Sequence, residues 1–542
     1  MQKIYLLIPI LLLILSCTDE SLKQNLIEEQ NLHKHIKEIS SDKYQGRAPG
    51  TQGGLLTKEY LVNQLMNYGL EPLKDSFLIK VPLVESEVQR NSEVSILNGK
   101  NKIVLTQGKD IVFWTKKLED KLNINQSELV FVGYGIVAPE YEWNDYKDIN
   151  MQGKIAVVLI NDPGFATKDP NLFTGNAMTY YGRWKYKIEE ASRQGAEGIM
   201  IIHDTEPAAY PWQVVETSWL GKQIDLDRRG NMKQQVKMES WLSNEIAKSL
   251  FNLSGLNLEK ETQASISKDF KPKKLSTLSL NASINNDYNF RESHNIVGIK
   301  KGNLRPEEYI LSMAHWDHLG MKDLGEDKIY NGAIDNATGV AGVLELAETL
   351  KDYEMERSVL FLFVTAEESG LLGSEHFATY PSIKLSNIVA GFNFDAIYPT
   401  GQVRDVIVVG HGASELEDLL SLTIKKYDKY IKPDPFPEKG YFYRSDHISL
   451  AKKGVPVLYA DGGLDKLEGG TQAGELIAQN YTKNDYHQPS DEYDSKWDLS
   501  GFVEHLEITK EMILSLSNSS EWPNWYEGNE FKSIRDKSRE NN

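Results

Sequence analysis

Cysteine is nearly absent: Cys17 is the single example among 542 residues. A chain with one thiol forms no internal disulfide, so an oxidising compartment imposes no covalent framework on it. A basic excess is absent too. Lys and Arg number 60 against 78 Asp and Glu, a formal net charge of −18. That argues against a nucleic-acid partner, which selects a basic face. Beyond this, an acidic surface mostly aids solubility. Long apolar runs are also missing. The run from Ile4 to Leu15 is too short to span a membrane as a mature helix, and no other segment reaches roughly 20 apolar residues.

At 542 residues the chain exceeds one average domain and reads as two or three units. Lys3 precedes the apolar run, and Ser16-Cys17 follows it. A short basic segment, a short apolar core and a cysteine resemble a bacterial lipoprotein signal. Leu15, two residues before the cysteine, is bulkier than such signals usually carry. The resemblance implies cleavage before Cys17 and lipidation of that residue. The expected location is then the bacterial cell envelope, lipid-anchored, facing the periplasm or the surface. A plain secretory signal or an N-terminal anchor is the alternative. On this reading residues 1–17 are the signal and 18–30 a polar tether.

The stretch from Tyr309 to Asp395 organises the rest. Three apolar segments each break off at a polar cluster: Ile310–Ala314 at His315-Trp316-Asp317, Ser358–Val364 at Thr365-Ala366-Glu367-Glu368, and Ile388–Phe394 at Asp395. Short apolar runs rich in β-branched and aromatic residues read as buried strands. Between the first two, Val340, Val343, Leu344, Leu346, Ala347 and Leu350 recur at helical spacing. Strand, helix and strand imply a parallel sheet, whose ligands bind outside the carboxyl ends of the strands. The His, Asp and Glu residues fall at those ends, which points to a metal.

Zinc takes His nitrogen and carboxylate oxygen, and a catalytic site keeps one position open. His315 and Asp335 can approach one point at the sheet's edge. Asp317, two residues after His315 in an extended segment, can brace the imidazole. Adjacent residues point apart, so one of Glu367 and Glu368 can bind metal while the other serves as general base. Asp395 offers another oxygen and His487 a late nitrogen. Singly these signals are weak: a His-x-Asp is usually structural, a Glu pair is usually a solvated helix start, and an Asp at a strand end often caps a helix. Their placement at successive strand ends is the informative feature.

Ala314–Gly320, Gly332–Gly339, Thr365–Ser374, Asn393-Phe394-Asp395 and Tyr486-His487 resemble, in order, the successive motifs of the M28 family of zinc aminopeptidases. The likeness covers about residues 290 to 515. It implies an α/β fold, a phosphorylase/hydrolase-like three-layer αβα zinc peptidase domain with two zinc ions. By motif, His315, Asp335 and Asp395 would hold one zinc. Asp335 would bridge, with Glu368 and His487 completing the second. Glu367 would be the base and Asp317 the residue that orients His315. The implied reaction is hydrolysis of the N-terminal residue of peptide substrates.

Val132-Gly133-Tyr134-Gly135 and Gly153–Val158 resemble a protease-associated (PA) insert, expected to be mostly β and to lack catalytic residues. It would roof the cleft or restrict substrates, or act only as a spacer. The expected organisation is therefore 31–119 as the N-terminal part of the peptidase domain, 120–275 as the insert, 276–520 as the catalytic domain, and 521–542 as a loose polar tail. Ser445-Asp446-His447 is expected near the substrate in a structural role, and His318 and His411 are expected to be structural. Trp212 and Tyr210 read equally as core or cleft wall. Three rivals share the pattern. A carboxypeptidase needs a basic pocket, for which Arg404 and Arg444 are candidates. A glutaminyl cyclase typically uses one zinc. A receptor-like module would have lost ligands.

Overall fold

The computed structural model describes residues 26–230, 235–323 and 325–540. The signal, Cys17 and most of the tether lie outside them. Among the described residues, no helix is long and apolar enough to cross a membrane.

The strand Arg305–His315 lies at the centre of the main sheet, parallel to Arg357–Val364 on one side and to Ile388–Asn393 on the other. Val457–Gly462 extends the parallel block beyond Ile388–Asn393. The other side is antiparallel: Lys273–Lys300 pairs with Arg357–Val364, Leu78–Val88 pairs with Lys273–Lys300, and Lys222–Leu226 closes that edge. The sheet is thus mixed, with its parallel block where the sequence pattern places the polar clusters.

Alternation along the central strands feeds two cores. Ile310, Ala314, Val359, Phe361 and Phe363 face one side, together with helices Glu29–Ile39, Gly339–Leu350 and Ser500–Ser517. Leu311, Met313, Leu360, Leu362 and Val364 face the other, against Phe377 and Leu450. Helices on both faces make three layers. The helix Gly339–Leu350 is apolar nearly all round, as a fully enclosed helix must be. Its Gly342 permits the close approach: a Cβ there would sit 2.7 Å from Cζ of Phe502.

Lys273–Lys300 is a 28-residue strand that joins two bodies. Its second half lies in the main sheet. Its first half pairs with Glu93–Asn98 and Lys121–Phe131 in a separate sheet. That sheet continues through the parallel strands Ile155–Leu159, Gly198–Ile202 and Met238–Leu242 to Ile111–Trp114. Helices Trp184–Arg193 and Asn244–Leu253 accompany these strands. The sheet already includes Glu93–Asn98, Asn101–Leu105 and Ile111–Trp114, so a boundary at residue 120 cuts through one hydrogen-bonded unit. Trp212 and Tyr210 pack against this body's core.

Two segments depart from the pattern. Residues 461 to 474 are Gly-rich, and the last of them open the helix Gly470–Asn484. Its Gly474 lies against Leu464, where a Cβ would meet the carbonyl oxygen at 2.1 Å. Close packing, rather than irregularity, accounts for that glycine. The tail also docks instead of hanging loose. Trp525 is buried and donates from Nε1 to the Gly454 carbonyl at 3.0 Å. Arg535, in the helix Lys532–Glu540, donates to the carbonyls of Ile388 and Val389.

Candidate metal centre

His315 ends its strand fully buried, with Nε2 at 3.3 Å from Asp335 Oδ1 and 3.2 Å from Asp395 Oδ1. The turn carrying Asp335 begins at Gly332, whose φ of 55° is the left-handed conformation that glycine adopts without cost. A side chain there would strike the Asp335 carbonyl at 2.2 Å. Asp491 fixes the same turn, accepting from the backbone N–H groups of Ile334 and Asp335 at 2.9 and 3.1 Å.

Asp335 turns its second oxygen to another imidazole. Its Oδ2 lies 3.2 Å from His487 Nε2, which is also 3.2 Å from Glu368 Oε2. Glu368 Oε1 is 2.6 Å from His318 Nδ1. Two donor triples result, His315–Asp335–Asp395 and His318–Asp335–Glu368, each with its ligand atoms within 4.8 Å of one another. Asp335 belongs to both. All five residues expected to bind metal therefore converge. His318, expected to be structural, joins them through Glu368. Its proximity to His315 in sequence was the available signal.

Glu367 and Glu368 diverge as adjacent residues do. Glu368 enters the cluster, and no protein hydrogen bond holds the carboxylate of Glu367 among the described residues. Asp317 acts differently from expectation. His315 Nδ1 lies 3.2 Å from the main-chain carbonyl of Asp317, while the Asp317 carboxylate stands 4.0 Å away. That carboxylate accepts instead from the backbone N–H of Glu367 at 3.1 Å. Asp317 thus meets the His315 ring with its main-chain carbonyl and the Glu367 backbone with its carboxylate.

Electrostatics reflect a surplus of acid. Burial disfavours the charged His315 ring, but the charges of Asp395 and Glu367 outweigh it and hold the imidazole well above its ordinary value. Burial opposes protonation of His487 as well, and Glu368 and Asp335 push it up to about 11. Burial would raise Asp335, yet hydrogen bonds from His315 and His487 hold it well below the carboxylate range. Glu367 goes the other way: burial, opposed by His315 but aided by the charges of Glu368 and Asp395, lifts it well above the usual range. Burial lifts Asp317 to about 7. A group of carboxylates that draws protons onto its imidazoles is one that calls for cations.

Other residues support the site from behind. Ser445 Oγ donates to Asp395 Oδ2 at 2.5 Å. Arg47 is buried and donates to the carbonyls of Ile39, Trp316, Asn331 and Gly332. It ties down the backbone just after His315 and just before Asp335. Nothing periodic marks Arg47 in the sequence. Asp446 and His447 are buried. His411 lies on the surface, 3.6 Å from Glu417. Arg404 is engaged by the carbonyls of Lys466 and Leu467, and Arg444 is exposed beside the Tyr441 ring.

The fold and donor set define an α/β protein with a metal-type pocket at the carboxyl edge of its sheet. Imidazole nitrogens and carboxylate oxygens at these spacings suit zinc. Comparison with known proteins narrows the class. Residues 295–511 match the model of peptidase family M28. A probable zinc metalloprotease of Pyrenophora tritici-repentis is 26% identical over 206 residues, covering 36% of this chain and 46% of its own. Aminopeptidase YwaD of Bacillus subtilis is 34% identical over 126 residues, 23% of this chain and 25% of its own. The chain thus spans less than half the length of these curated relatives. An aminopeptidase from Aneurinibacillus sp. strain AM-1 shares the fold with a TM-score of 0.50 at 18% identity, covering 92% of this chain and 95% of that one.

Proposed function

We propose that this chain is a zinc-dependent aminopeptidase that removes N-terminal residues from peptides. The observation that carries the reading is the position of Asp335, with one oxygen toward His315 and the other toward His487. His315, Asp335 and Asp395 would hold one zinc, and Asp335, Glu368 and His487 a second. Bound zinc supplies Lewis acidity, polarising a carbonyl and making water acidic. Glu367, whose carboxylate no described residue holds by a hydrogen bond, takes the proton from the attacking water. Its carboxyl group then delivers that proton to the leaving amine. Asp317 holds Glu367 through its backbone N–H, so the base is fixed where the loop leaves the strand. The matched family domain and the named aminopeptidases among the relatives support the same reading.

The second body stands over this edge as a PA-like roof, a reading supported by its link to the catalytic loop. Lys185 of the second body donates to the Gly370 carbonyl at 2.6 Å. Lipidation at Cys17, and with it an envelope location, rests on the resemblance of residues 1–17 to a lipoprotein signal. The test of function is a panel of aminoacyl-anilides and dipeptides, with and without a chelator. Cleavage of free-amine substrates that chelation abolishes and zinc restores is the expected result. Equal cleavage of N-blocked peptides would overturn it.

A further inference from the structure

His318 follows the strand end that carries His315, and its imidazole is buried. Nδ1 lies 2.6 Å from Oε1 of Glu368. The other ring nitrogen, Nε2, finds no hydrogen-bond partner among the described residues. The ring is wedged in place. A Cβ on Gly332 would sit 2.5 Å from both Cγ and Cδ2 of His318, so glycine there makes room for the ring. On another side the His487 ring meets it edge to face, with centroids 5.8 Å apart. One fixed imidazole thus offers one polar contact, and Glu368 takes it.

His318 belongs to one of the two donor triples, so it has to be weighed as a metal ligand. Spacing decides. Two donors on one zinc, each at about 2.0–2.1 Å and tetrahedrally arranged, stand about 3.3 Å apart. His315 meets that value with Asp335 at 3.3 Å and with Asp395 at 3.2 Å. His487 meets it with Asp335 and with Glu368, both at 3.2 Å. The 2.6 Å between His318 and Glu368 is too short for shared coordination. It is close to the roughly 2.7–2.9 Å of a charge-assisted hydrogen bond from N–H to a carboxylate.

Glu368 therefore faces two imidazoles in two ways. Oε2 has ligand spacing to His487, and Oε1 accepts from His318. From this we infer that His318 is a positioning residue: it holds Oε1 aside, so that Glu368 meets the second cation through Oε2 alone. The inference rests on the two-zinc reading and deepens it. A carboxylate free to turn can present both oxygens to one ion, as calcium sites use. Held by one oxygen, it stays a single ligand, and a coordination position stays open for water or substrate.

The test titrates zinc against a chromogenic chelator on the full chain, a measurement independent of which peptide is cut. Two ions are expected in the wild type. His318→Leu should keep the ion of His315 and Asp395 at wild-type affinity, which also shows that the variant is folded. It should bind the other ion about 10–100-fold more weakly. His318→Asn, whose amide N–H can stand in for Nδ1, should recover most of that loss. Cobalt in place of zinc adds a spectroscopic signature. Its visible bands should weaken in His318→Leu, as a second carboxylate oxygen raises the coordination number, and return in His318→Asn. Unchanged affinity for both ions in His318→Leu overturns the inference. So does a His318→Asn protein as weak as His318→Leu, or a loss shared equally by both ions. A single ion in the wild type overturns the two-zinc reading instead. If Glu368→Ala removes that ion, the same comparison made on it decides His318; if not, the role of His318 falls as well.

Discussion

His487 Nε2 lies 3.2 Å from Glu368 Oε2, so a loop that follows the helix Gly470–Asn484 closes a pocket otherwise built from strand ends. The backbone at His487 is left-handed, with φ at 59°, and the Tyr486 ring stacks on the imidazole at 3.9 Å. If this contact holds a metal, His487→Ala and Glu368→Ala should both lose it. Removing a residue that merely orients a ligand costs about 10–100-fold in affinity, so a direct ligand should cost more. Zinc content after dialysis, measured by atomic emission, checks this. Full occupancy in either variant would contradict the assignment.

Glu367 differs from its neighbour because no hydrogen bond from the described residues holds its carboxylate. Glu367→Gln keeps the shape and removes the carboxylate proposed as the base. Turnover is expected to fall by about 10²–10⁴-fold while metal content stays at the wild-type level. Kinetics and metal analysis on one preparation separate this outcome from a loss of zinc.

Arg47 supports the site without touching a ligand. Its guanidinium satisfies four carbonyls, including Trp316 and Gly332. Burial lowers it to about 10, moderated by the charges of Asp491 and Asp335. Arg47→Met would leave those buried acceptors without donors and is expected to cost on the order of 3 kcal/mol. The denaturant midpoint reads the loss. Arg47→Lys, with fewer donors in a less suited geometry, should recover only part of it.

His35 and His505 make stability depend on pH. Burial, aided by Lys34 for His35 and by Lys429 for His505, lowers each to about 4 from an ordinary 6.5. Between those values the unfolded chain binds more protons than the folded one, so stability falls as pH falls through that window. Above about 6.5 both states are neutral at these positions and the contribution is flat. Urea midpoints at pH 7.5, 6 and 5 should therefore decline in that order. A midpoint unchanged from pH 7.5 to 5 would rule this out.

Several features were legible because they are local. His315, Glu367, Glu368 and Asp395 each end an apolar run, and a buried parallel strand presents its carboxyl end to a ligand whatever the rest of the chain does. Others were legible only in part. Residues 470–484 carry glycines that mimic a loop, yet Gly474 is there to let the helix approach Leu464. Residues 521–542 look polar, but Trp525 and Arg535 are anchored by backbone carbonyls far away in sequence.

By itself the sequence determined the order of strands and helices, the edge at which the acids and imidazoles gather, and the divergence of the adjacent Glu367 and Glu368. Periodicity and nearest-neighbour geometry suffice for those. Only the tertiary structure decided that Asp317 braces Glu367 through its backbone, that His318 meets Glu368, and that Arg47 lies under the site. Each of these joins segments brought together by packing, and packing between distant segments leaves no periodic trace in either one.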